Sequence, residues 1–143
     1  MEVLPGRTPR ERIDSECQRR GKAALVEGCI ALLRGEAADA ELIVALGGPP
    51  ARWALTGEDG GPDYWLRTWA ARGLLWAWDE AALPAITTAL DDEAWRVREM
   101  ALKVIARHRV DEALDDVVRL QDDPVGRVAA AAQRALARLT EGR

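Results

Sequence analysis

Cations recur at a fixed interval in the second half of the chain. Arg72, Lys103 and Arg134 stand thirty-one positions apart, with Trp65, Trp76 and Trp95 interleaved and Arg96 and Arg127 forming a second in-step pair. Such a pattern suits recognition rather than bond-making: guanidinium and ammonium groups attract carboxylates or phosphates, and indole faces hold cations, bases or apolar groups. Residues able to do catalysis are few. His108 is the single histidine, so no HExxH pair exists, and Cys17 and Cys29 cannot complete a tetrahedral metal site alone. No nucleophile signature flanks either cysteine, and the glycine-rich loop from Thr56 to Pro62 lacks the lysine and preceding strand of a phosphate-binding loop. His108, at a helix end, is expected to interact with the helix dipole. No catalytic residue, metal ligand or cofactor is expected, and the chain reads as non-enzymatic.

The interval belongs to whole elements. Asp92, Arg96, Val97, Ala101 and Lys103 become Asp123, Arg127, Val128, Ala132 and Arg134 when shifted by thirty-one, and Ala70 matches Ala101 and Ala132. A fixed period over successive helix pairs is the signature of a solenoid. Inner helices are expected over Pro62–Trp78, Glu93–His108 and Pro124–Thr140, with outer helices over Glu80–Leu90 and Asp111–Gln121. At 100° per residue, Ala94, Val97, Ala101, Val104, Ile105 and His108 share the core arc, while Trp95, Arg96, Glu99, Lys103 and Arg107 share the opposite one. The plain alternative is that this cationic arc is only a solvated face, neutralised by Glu99 and other acids. Trp69 is expected in the core, in a stripe with Trp65 and Trp76 against the preceding helices.

Before the repeats, Thr8 and Pro9 read as the N-cap and first residue of a helix running from Arg10 to Arg34, in which Gly21 and Gly28 permit a close crossing or mark a break. On one such helix Cys17 and Cys29 would lie roughly 18 Å apart and could not pair. A second helix is expected over Glu36–Leu46, stopped by Gly47-Gly48-Pro49-Pro50, with another turn or two carrying Trp53. Residues 9–56 fit the period poorly and read as an irregular helical cap on the array, the whole of 1–143 forming one domain. The charge of −4 argues against general nucleic-acid binding, although a local basic face is compatible with it. Residues 1–13 carry charges throughout, no run is long enough to cross a bilayer, and a soluble, cytoplasmic protein is expected.

Asp123-Pro124, Val97-Arg98, Ala101, Val128 and Ala132 resemble the turn, Val-Arg and small-residue signature of the short bacterial HEAT-repeat family, over residues 62–140. Glu93 stands where that family usually has Pro, and Ala129 where it has Arg. The resemblance implies an all-α, right-handed α-α solenoid of HEAT-like helix pairs whose inner helices line a concave groove. It also implies that Arg98 meets Asp92 or Asp123, and that Arg67 plays the same part towards a turn acid such as Asp92. The function it implies is a protein-binding scaffold or adaptor, using Trp65, Arg72, Trp76, Trp95, Arg96, Lys103, Arg127 and Arg134. Two alternatives stand beside it. One is a nucleic-acid-binding or DNA-glycosylase-like HEAT protein, for which Glu99 is the groove carboxylate, and the other a bilin-lyase-like HEAT protein. The partner's identity and the oligomeric state stay open.

Overall fold

Helices alone build the described part of the chain. The computed structural model describes residues 7–56 and 63–141, with α1 (Pro9–Arg20), α2 (Lys22–Leu33), α3 (Ala40–Gly47), α4 (Trp53–Thr56), α5 (Tyr64–Trp76), α6 (Leu83–Ala89), α7 (Trp95–His108), α8 (Leu114–Leu120) and α9 (Gly126–Thr140). Short 3-10 turns at Pro49–Ala51, Glu80–Ala82 and Asp111–Ala113 precede α4, α6 and α8. α7 packs between α5 and α9, while α6 packs on α7 and α8 on α9. The result is an inner row of α5, α7 and α9 backed by an outer row of α6 and α8, the α-solenoid expected from the period. Val97, Ala101, Val104 and Ile105 are fully buried, and Ala70, Ala101 and Ala132 bury the same methyl group once per unit. No described helix is long and apolar enough to cross a membrane.

The inner helices start later than the sequence suggests. α7 begins at Trp95 and α9 at Gly126, because Asp92 and Asp123 first close a turn: their carboxylates accept the Ala94 and Val125 N–H groups at 2.8 and 2.9 Å. Pro62 and the rest of the loop at 57–62 lie outside the described residues.

The first half corrects the expected single helix over Arg10–Arg34. Thr8 and Glu11 form a capping box with Pro9 in the first turn, but Gly21 sits at φ +92°, a conformation open to glycine, and separates α1 from α2. The second glycine leaves its helix unbroken. A Cβ at Gly28 would collide with the end of the Leu42 side chain, so the missing Cβ makes room for that side chain against α2. The 18 Å reckoned along one helix therefore does not apply to the cysteines. Burial pushes the Cys29 thiol up to about 12, with Cys17 adding to the effect across the α1–α2 contact; both thiols are free. α3 begins at Ala40 rather than Glu36, because the Asp39 carboxylate accepts the Leu42 N–H at 2.8 Å and caps it there.

α1 and α3 pack on each other and on α5, while α2 packs on α5 and α6, so the cap covers the first repeat helix. Trp69, 7 % exposed, lies against Gly47 of α3, where a Cβ would stand 2.7 Å from its ring. At Gly73 an added Cβ would stand 2.6 Å from Leu46 and 2.7 Å from the Cys29 sulfur. Substituting Gly73 by Ala is accordingly expected to destabilise the protein by about 1–3 kcal/mol through overpacking, despite alanine's better helix propensity. Gly126→Ala, with nothing within 4 Å, is expected to leave stability unchanged or raise it. Urea denaturation of both variants against wild type checks the pair.

Candidate functional site

Each inner helix is tied to the turn that opens the next. Arg67 Nε donates to Asp92 Oδ2 at 2.7 Å and its Nη2 to Oδ1 at 3.2 Å; thirty-one residues on, Arg98 repeats this with Asp123 at 2.9 and 3.2 Å. Arg98 also donates to the Asp92 and Glu93 carbonyls, knitting its own turn to the next one. The Asp123 side chain is 5 % exposed and that of Asp92 11 %. Burial alone would push the Asp123 carboxyl up, but the Arg98 guanidinium and the Val125 N–H together hold it below its ordinary value. Both expected partners of Arg67 and Arg98 are thus in place, and they set consecutive inner helices in register.

That register brings four of the expected groove residues into one ladder. The Arg96 guanidinium lies 5.2 Å from the Trp65 ring and 4.4 Å from the Trp95 ring, and Arg127 lies 5.1 Å from Trp95. Trp65 stacks on Trp69 at 6.1 Å and touches Tyr64 at 5.2 Å, which roots the ladder in the cap-facing core. Glu99 belongs to the arc expected to be open, yet it is 7 % exposed, because Arg127 reaches back from α9 and clasps it at 2.9 and 3.2 Å. Each cation here is thus held against a ring or a carboxylate, which fixes its position.

The remaining positions divide. Lys103 and Arg134 are exposed and, among the described residues, have no partner. Arg72, the third member of that column, does not join them. It is half-buried, donates through Nη2 to the Leu46 carbonyl at 2.6 Å, and leaves its buried Nε without an acceptor. Burial pulls its pKa below the ordinary arginine value, with the charge of Arg12 adding. Trp76 stands apart from the ladder, beneath Arg10 at 4.8 Å and Arg107 at 4.5 Å. Arg107, omitted from the expected set, shares its phase with Trp76 one unit earlier, so the period itself carried the signal. The Arg10 contact is long-range and had none.

His108 does not serve the end of its own helix. Its Nε2 lies 2.9 Å from the Leu74 carbonyl in the last turn of α5, and its ring stacks on Trp78 at 5.0 Å. With Nε2 protonated, the imidazole donates to a carbonyl that α5 cannot satisfy itself. A surface depression of about 550 Å³ opens beside it, lined by Ala106, Arg107, His108 and Arg138. No group of three or more His, Cys, Asp or Glu among the described residues could hold a metal ion.

An inner row of helices joined by repeated Arg–Asp clamps, with an outer row behind, defines an α-solenoid repeat protein. The family model for HEAT repeats matches residues 52–137, more than half of the chain, and the protein belongs to that family. The match begins ahead of residue 62, where the periodic pattern first becomes visible in the sequence. Neither the curated proteins nor the solved structures contain a match.

Burial holds the His108 ring below its ordinary value near 6.5, outweighing the raising effect of the Leu74 carbonyl. The folded chain therefore favours the neutral ring. This stabilisation is complete above pH about 6.5 and declines as the pH falls below it, because the unfolded chain takes up the proton first. The Tm of wild type is expected to drop as the pH falls below that value, and the Tm of His108→Gln to be lower but flatter there. Parallel slopes in the two proteins would contradict the assignment.

Proposed function

We propose that this chain is a non-enzymatic scaffold that binds a protein partner along the face of its inner helices. The observation that carries the reading is the ladder of Trp65, Arg96, Trp95 and Arg127, in which partly buried rings and pinned guanidiniums alternate across three repeat units. Rigid aromatic and arginine groups of this kind are the anchors of protein interfaces, because little conformational freedom is lost when a partner covers them. The unpaired Lys103 and Arg134 lie further along the same helices, where they steer approach and set register rather than supply most of the affinity. Membership of the HEAT-repeat family supports a helical scaffold. Against the base-repair reading, the groove carboxylate Glu99 is already engaged by Arg127 at two points and is not free to assist chemistry on a base.

Affinity capture from a nuclease-treated native lysate, comparing wild type with Arg96→Glu and with Trp95→Ala, tests the proposal. A defined protein retained by wild type and reduced about tenfold or more by each variant is the expected result. Equal recovery by all three would place the binding surface elsewhere. Recovery that requires nucleic acid, with an apparent affinity falling steeply with salt, would replace the proposal with nucleic-acid binding.

A further inference from the structure

One spacing is written three times across the inner helices. Trp65, Arg72 and Trp76 lie seven and four residues apart on α5; Arg96, Lys103 and Arg107 repeat this on α7, and Arg127, Arg134 and Arg138 on α9. The outer members of the α5 set are rings, and each is covered by the cation one unit on, Arg96 over Trp65 and Arg107 over Trp76. Between α7 and α9 the equivalent positions set cation beside cation. The chain's own carboxylates answer two of them: Glu99 takes Arg127, and Glu141 takes Arg138 at 3.0 Å. The middle pair, Lys103 and Arg134, has no such answer and is exposed.

We infer that Lys103 and Arg134 receive an extended acidic segment of a partner protein, with carboxylates three residues apart. The inference rests on the protein-binding reading above and specifies the chemistry of the bound segment. Packed helices lie about 8–10 Å apart, which sets the spacing of this pair across α7 and α9. A segment in polyproline II conformation crossing from one helix to the other advances about 9.3 Å in three residues and returns to the same face. Carboxylates at positions i and i+3 therefore meet the two cations in succession. Glu99 and Glu141 show the same chemistry already operating on this face, since its guanidiniums pair with carboxylates wherever the chain supplies one. A long polyanion fits less well. The chain carries a net charge of −4, and exposed Glu112, Asp115 and Asp122 along the outer row would repel a phosphate backbone extending past the basic patch.

The test is a fluorescence-anisotropy titration of the full chain with a labelled peptide of repeated Glu-Pro-Pro, its Gln-Pro-Pro counterpart and a single-stranded oligothymidylate. Wild type is compared with Lys103→Gln/Arg134→Gln and Lys103→Glu/Arg134→Glu. The Glu peptide is expected to bind wild type about tenfold or more tightly than the Gln peptide, to weaken with the neutral variant and to be lost with the charge-reversed one. Both variants should melt as wild type does, because neither cation gives up a partner. Equal binding of the two peptides, or unchanged affinity after charge reversal, overturns the inference. So does an oligonucleotide that displaces the Glu peptide through the same two residues. If a lysate partner is lost with Arg96→Glu yet retained by Lys103→Glu/Arg134→Glu, the scaffold reading stands and this inference falls.

Discussion

The two-point clasp of an aspartate by an arginine one unit earlier is the interaction on which the rest of the molecule depends. Arg67–Asp92 and Arg98–Asp123 are separated by the same twenty-five residues and share the same atom pairing. In each, the aspartate also accepts the N–H that closes its own turn, so one carboxylate positions both a turn and a neighbouring helix. A planar guanidinium meeting a carboxylate at two points has little rotational freedom. Apolar packing drives the helices together without direction, whereas the clasp decides how far each may slide along its neighbour.

That register has consequences at the surface. Arg96 can cover Trp65, and Arg107 can cover Trp76, only when α5 and α7 are aligned one period apart. Arg127 likewise reaches Glu99 across α7 and α9. An acidic chain thereby gathers positive charge on one row of helices while exposed acids such as Glu112 and Asp115 remain on the other. Separating the signs in this way combines a modest net charge with a basic inner row.

Much of this was legible in the sequence, and the exceptions share a cause. The thirty-one-residue period located the inner helices and their buried arc, because a repeating unit meets the same neighbour each time, and the resemblance to HEAT repeats supplied the aspartate partners of Arg67 and Arg98. Positions whose contacts do not recur from unit to unit escaped. Arg72 has the phase of Lys103 and Arg134, but α5 faces the cap, where the C-terminal carbonyls of α3 at Ala45 and Leu46 draw in Arg12 and Arg72 as donors. Glu99 sits on an arc that helical geometry leaves open, and only the reach of Arg127 covers it. His108 meets Leu74 from thirty-four residues away, a distance at which local pattern is silent. Gly21 was visible as a weak point, yet the helix-forming sequence on both sides hid that its backbone turns to positive φ.

A double-mutant cycle on Arg98→Ala and Asp123→Ala, measured by equilibrium denaturation, addresses the clasp directly. Each side chain is largely buried, so either single substitution strands a partner in a site with little water. A coupling of about 2 kcal/mol or more, with the double variant scarcely less stable than either single one, is the result this account requires. A coupling near zero would mean that apolar packing alone sets the register, and that the alignment of the tryptophan–arginine ladder does not depend on the clasp.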